Sequence, residues 1–217
     1  MTSRRFVLAG AAGFALGLAG LGRLLAADAV TRGVHRVSGD ARINDKPAIS
    51  GRTVKPGDTV VTGPNGDIVF VVGRDAFLLR AESRVELEGK SGSTLLTGLR
   101  IVTGRLLSVF ASGEPKKMQT DTATIGIRGT GVYVEAAREK TYVCTCYGTV
   151  DIVSRADPAQ RETVQTRHHD QPRYVMAKGA PQMLMGAPVI NHSDAELILL
   201  ESLVGRKPPF GSTPYRY

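Results

Sequence analysis

The chain predicts an all-β fold: an antiparallel sandwich or roll (or a stacked-turn β architecture) of about a dozen short strands, with one C-terminal α-helix. Three observations predict it. Short runs rich in Val, Ile, Leu, Thr, Phe and Tyr follow one another from Gly33 to Val153, separated by Gly, Pro, Asn and Asp. No helical period interrupts them. One capped, amphipathic helical pattern comes only after Ser193.

The elements follow in order. Strands are expected at Val34–Val37, Ala41–Ile43, Thr59–Val61, Ile68–Val72, Ala76–Leu79 and Val85–Leu87. Further strands are expected at Leu99–Val102, Leu106–Phe110, Ala123–Ile127, Val132–Glu135, Tyr142–Tyr147 and Val150–Val153. Gly63-Pro64-Asn65-Gly66 is a turn, because Pro presets φ and Gly accepts φ > 0. Val85-Glu86-Leu87-Glu88 alternates as a half-buried strand does. Ile68 to Val72 is apolar on both faces and belongs at the centre of a sheet. Residues 156–192 carry Pro158, Pro172, Pro181 and Pro188 and read as loops with one or two short strands, one of them at Arg173–Met176. Ser193 and Glu196 then form a capping box. Leu197, Leu200, Leu203 and Val204 share one helical face, and Gly205 with Pro208-Pro209 ends the helix.

The first 29 residues read as an export signal. Arg4-Arg5 precedes an apolar run from Val7 to Leu25, and Ala27-Asp28-Ala29 supplies a small-x-small cleavage pattern. Paired arginines directly before the run point to the bacterial twin-arginine route, which exports chains already folded. Retention as an N-terminal membrane anchor is the alternative, since the run nearly matches the ~20 residues that span a bilayer. The expected location is the periplasm, and any membrane contact is expected only through this segment. The remaining chain, 30–155 as a β domain, 156–192 as an extension and 193–217 as helix and tail, can bury a real core. The net charge of +8 has no long run of one sign. It reads as a solvated surface, with an envelope protein or cell-wall component as the expected kind of partner and nucleic acid excluded by compartment.

Thr122-Ala123-Thr124-Ile125-Gly126-Ile127-Arg128-Gly129-Thr130 resembles the hallmark segment of the FecR-like family. Val37-Ser38-Gly39-Asp40-Ala41, Val54-Lys55-Pro56-Gly57-Asp58-Thr59 and Leu99-Arg100-Ile101-Val102-Thr103-Gly104-Arg105-Leu106 follow a similar layout. The resemblance spans roughly Val37 to Val153. It implies a periplasmic all-β domain used in sensing, signalling or binding, whose best-known members pass an iron-uptake signal to an extracytoplasmic-function sigma factor. Those regulators begin with a cytoplasmic segment and one transmembrane helix, where this chain carries the export pattern.

Read from the residues alone, Thr124, Gly126, Arg128, Gly129, Thr130 and Gly131 form a strand interrupted by glycines, which mark bulges or close backbone approach. Arg128 is expected to fold back onto carbonyls or a carboxylate. The alternative is an anion-binding loop built from backbone donors and Arg128. The Gly-x-x-Gly-x-Gly spacing is not the dinucleotide fingerprint.

Tyr142-Val143-Cys144-Thr145-Cys146-Tyr147 carries the sharper chemistry. On a strand, Cys144 and Cys146 project to the same side together with Tyr142. Their spacing lies at the edge of disulfide geometry. Three readings follow: two small buried hydrophobes, a disulfide, or two thiolates of a zinc or iron site. The metal reading needs two more ligands. His168, His169 and His192 are the candidates, with His168 or His169 joining His192, because neighbours on an extended segment point apart. Known catalytic signatures are absent, so no enzyme activity is expected. A thiol enzyme would have only His169 as a base.

Overall fold

The computed structural model describes residues 32–90 and 92–210. The export pattern lies outside them. Fourteen strands and one helix are present among the described residues, so the chain is all-β with a C-terminal helix.

The strands divide into two layers. The first runs β1 (Gly33–Ser38), β5 (Asp67–Val72), β6 (Asp75–Leu79), then the later half of β8 (Leu96–Val109) and the later half of β10 (Ala123–Ala136). It continues with the early half of β11 (Lys140–Ser154), β13 (Arg173–Met176) and β14 (Leu184–Gly186). The second layer runs β3 (Lys46–Pro47), β2 (Ala41–Ile43), β4 (Thr59–Thr62), β7 (Arg84–Gly89) and the early half of β8. Beyond it come β9 (Lys116–Gln119), the early half of β10, the later half of β11 and β12 (Arg161–Thr166). All pairings are antiparallel except β8 with β9.

The sequence pattern places two strands where each of β8, β10 and β11 is continuous. Gly104 (φ 95°), Gly129 (φ 60°) and Gly148 (φ 89°) lie at those interruptions. They bend a strand from one layer into the other, and the β10–β11 register slips around Gly131. A glycine in a strand marks a bulge or bend as readily as an end. The predicted turn at Gly63–Gly66 is closed by the Gly66 N–H donating to the Gly63 carbonyl at 3.0 Å.

Two apolar cores result. Ile68, Phe70, Val72, Phe77, Leu79, Leu106, Val132, Val134 and Val143 face the second layer and its Val60, Val85, Leu99, Ile101, Met118, Ile125 and Ile152. The alternate residues Val69, Val71, Leu78, Leu107, Val109, Tyr133, Tyr142, Cys144 and Cys146 face the other way. The helix α1 (Asp194–Leu203) lies on that outer face and buries Leu197, Leu200 and Leu203 there. This is why β5 is apolar on both faces. Each such side chain contributes roughly 1.5–3 kcal/mol. Glu196 accepts from the Ser193 backbone N–H at 2.9 Å, as the capping pattern predicts. Gly205 ends the helix at φ 69°.

Candidate metal centre

The outer face of the first layer carries the candidate site. The two-residue period of β11 brings Tyr142, Cys144 and Cys146 onto it, and both thiols are free and fully buried. Disulfide formation is thus absent from this structure. The segment after β12 runs beside them, with the His169 N–H donating to the Cys146 carbonyl at 3.0 Å. His169 is left-handed at φ 55°, a conformation costly for a non-glycine residue and found where a site over-determines the backbone. His192 follows left-handed Asn191 (φ 58°) and stacks on Tyr133 with ring centroids 4.5 Å apart. Tyr142 donates its hydroxyl hydrogen to the Pro188 carbonyl at 2.9 Å and so fixes the approach of that segment.

Four donor atoms converge. One atom from each of Cys144, Cys146, His169 and His192 lies within 4.8 Å of all the others, and all four residues are buried. Cys144 Sγ is 3.3 Å from His169 Nδ1, and His192 Nε2 is 2.9 Å from the same nitrogen. The outer nitrogens fix the tautomers. His192 Nδ1 lies 2.6 Å from the Ile190 carbonyl, which can only accept, so Nδ1 carries the hydrogen. His169 Nε2 lies 3.2 Å from Asp194 Oδ1 and donates to that carboxylate. With their outer nitrogens engaged, His169 Nδ1 and His192 Nε2 face each other at 2.9 Å, and Cys144 Sγ adjoins the same His169 nitrogen, so the inner atoms form one cluster of donor atoms that a cation could bridge.

The thiols respond to the same surroundings. The Cys146 side chain, with His169 and His192 behind it, holds the Cys144 thiol well below the usual thiol range, against the effect of burial. Burial first, and then Cys144, pushes Cys146 up. The pair therefore ionises at Cys144 first. A second ionisation in this apolar setting needs a positive charge nearby.

The donor set fits zinc or iron. Two sulfurs and two imidazole nitrogens are the ligands such ions take in four-coordinate sites. Imidazoles that bind metal usually donate their other N–H to a carboxylate or a carbonyl. Here Asp194 serves His169, and Ile190 serves His192. Asp194 is fully buried at the start of α1 and also receives His168 Nε2 at 2.9 and 3.0 Å. The His168 side chain is 27% exposed and lies under the Phe210 ring at 4.5 Å, so it marks the side nearest solvent.

The structure thus brings Cys144, Cys146, His169 and His192 together. It places His168 one step outward, with His169 and Asp194. His169 is not on an extended segment, so the expectation that neighbouring histidines point apart does not apply, and the two rings lie 4.9 Å apart. Asp194 was legible only as the first helical residue. Its place two residues after His192 is the signal that could have found it. His35 is exposed on β1 and is not among the converging donors.

The glycine-rich motif is a structural joint. Thr124 lies on β10 opposite Val153 of β11. Arg128 donates to Asp151 Oδ2 at 2.6 Å on the surface, so its fork goes to a carboxylate. Thr130 is buried and donates to the Thr149 carbonyl at 3.0 Å. Gly126 has room for a Cβ, which would meet Asp151 Cβ in ordinary contact at 3.5 Å. Gly131 does not, because the Tyr147 ring lies against it. The Tyr147 hydroxyl donates to Glu201 of α1, which also accepts from Arg206 Nε at 2.6 Å. Through Gly131 and Tyr147 the motif supports the helix.

No protein-family description matches the chain, and no curated protein matches it. Two crystal structures from Parabacteroides distasonis, each described as a "putative anti-sigma factor", share its fold with a TM-score of 0.51 and 12% identity. The match covers 66% of this chain and 64% of theirs. At that identity the likeness is one of fold.

Proposed function

We propose that the chain is a non-enzymatic metal-binding domain of the bacterial envelope, built on a FecR-like β fold and holding a zinc or iron ion on Cys144, Cys146, His169 and His192. One observation carries the proposal: two thiols and two tautomer-fixed imidazoles, all buried, converge on one point. Bound there, the ion supplies charge that lets both thiols ionise. The chain's own residues orient the imidazoles and exclude water. The fold shared with chains described as anti-sigma factors supports a signalling rather than a catalytic setting. The partner belonging to this reading is an envelope protein or cell-wall component.

The test is elemental analysis of protein purified from the native envelope, alongside cobalt substitution. About one metal per chain and a thiolate-to-cobalt absorption band are expected. Cys144→Ser and His192→Ala are expected to remove the band's intensity or shift it. Less than ~0.2 metal per chain, with no cobalt band, ends the proposal. Rapid alkylation of Cys144 near neutral pH in the metal-loaded protein would instead favour a thiol enzyme, since Cys144 Sγ sits 3.3 Å from the His169 imidazole.

A further inference from the structure

We propose that metal occupancy at this site controls whether the C-terminal helix stays on the sheet, which makes the centre a sensor rather than a passive staple. The inference rests on the metal reading above and adds regulation to it.

The ligands come from three separated segments. Cys144 and Cys146 lie in the middle of β11, a strand shared by both layers. His169 lies on the segment after β12. His192 sits two residues before the first residue of α1, and Asp194, which orients His169, is that first residue. Lifting the helix therefore removes one ligand and the outer partner of another. Any ion that binds only the closed form holds the helix down in proportion to its occupancy.

Apart from the site, short polar contacts hold that end of the helix: Tyr142 to the Pro188 carbonyl at 2.9 Å and Asn191 Nδ2 to Glu135 Oε1 at 2.7 Å. At ten residues α1 is shorter than the ~12–15 at which isolated helices become even marginally stable. Its inward face carries two buried acids, Asp194 and Glu201, beside Leu197, Leu200 and Leu203. Glu201 finds Tyr147 and Arg206. Asp194 finds His168 and His169, so its burial is tied to the site itself. From the solvent side Arg80 reaches Glu196 at 2.7 Å and the Asn191 carbonyl at 2.9 Å, contacts that water weakens. When the helix leaves, it uncovers apolar residues of the β6 and β8 strands it packs against, among them Leu78, Leu107 and Val109. The sandwich core on the other face of the same strands keeps its own contacts. The molecule can thus change its outer face without unfolding.

Hydrogen exchange by mass spectrometry on the full protein, with zinc buffered at about 100 times its dissociation constant and then with chelator, tests this. The metal content of each sample is measured in parallel. Amides of Asp194–Leu203 are expected to exchange up to about 100-fold more slowly with metal, and those of Thr59–Thr62 and Arg84–Gly89 equally in both states. Zinc that binds at one per chain but leaves helix exchange unchanged overturns the sensor and leaves the metal centre standing. Metal removal that speeds both layers alike also overturns it, because the ion is then a general staple. No binding at all defeats the metal reading and the sensor with it. His192→Ala is expected to abolish the metal dependence of helix exchange while the two layers stay protected.

Discussion

Alanine at Gly131 and at Gly126 should have opposite outcomes, although both sit in one glycine-rich run. At Gly131 a new Cβ would lie 2.7 Å from Tyr147 Cζ and 3.0 Å from Cδ1, well inside contact distance. The ring cannot turn away freely. Its hydroxyl is bonded to buried Glu201, and its edge meets Phe210 with centroids 5.8 Å apart. Overpacking of this kind costs about 1–3 kcal/mol. If the ring shifts, the bond to the Glu201 carboxylate goes too, at roughly 1.5–3 kcal/mol for a charged partner. A loss of about 3 kcal/mol is expected for Gly131→Ala, with the larger share felt at α1. At Gly126 the new Cβ would meet nothing closer than 3.5 Å, so Gly126→Ala should stay within ~0.5 kcal/mol or stabilise slightly by restricting the unfolded chain. Equilibrium urea unfolding followed by circular dichroism and tyrosine emission measures both, since the chain has no tryptophan. A Gly126→Ala cost equal to or above that of Gly131→Ala, or a Gly131→Ala cost under ~1 kcal/mol, would refute the reasoning.

Three further outcomes are expected. Asp194→Asn should weaken metal affinity about 10–100-fold, measured by competition with a chromophoric chelator, because His169 loses its charged acceptor. Lys116→Met strands the Asp75 carboxylate, which pairs with Lys116 Nζ at 3.5 Å and accepts from the Ala111 N–H at 3.0 Å. It should cost about 3–5 kcal/mol at neutral pH. Burial already raises the Asp75 pKa, so its neutral form favours folding below the unfolded value and that contribution is lost as pH rises. The variant should therefore recover stability in acid, as urea midpoints across pH will report. Arg128→Ala should cost less than ~1 kcal/mol, its pair with Asp151 being exposed. Thr163 first, and Arg128 after it, lower the Asp151 pKa, so that carboxylate stabilises the fold above its unfolded value and less as pH falls through the folded one. An NMR titration of Asp151 should move only part of the way back in the variant, because Thr163 remains.

The alternation in β5, the capping box at Ser193 and the shared face of Cys144 and Cys146 were legible because each depends on a local period. Strand continuity was not. Gly104, Gly129 and Gly148 look like ends in one dimension and are bends in three. No strand is expected at Lys116-Lys117-Met118-Gln119, yet it forms β9 because β8 and β10 flank it, and Lys116 is buried against Asp75. The site was half legible for the same reason. A two-residue period aligns the thiols, but only tertiary structure says which imidazole reaches them. The left-handed φ of His169 decides that, and no local pattern marks it. Asp194 was hidden by its ordinary helix-start position, where an acid needs no other explanation.

The three strands that run through both layers also set the order in which the molecule is assembled. β10 and β11 form a local hairpin, joined by a short connection, and can pair early. The layers they bridge depend on partners far away in the chain, and such non-local closure makes folding slow, on the order of milliseconds to seconds. Whenever that hairpin pairs ahead of the rest, Cys144 and Cys146 stand side by side on it before the segment bearing His192, far along the chain, arrives. The nascent hairpin is thus a two-thiol landing place open to solvent. Whatever ion, or oxidant, is present in the compartment where folding happens meets those sulfurs before the helix covers them.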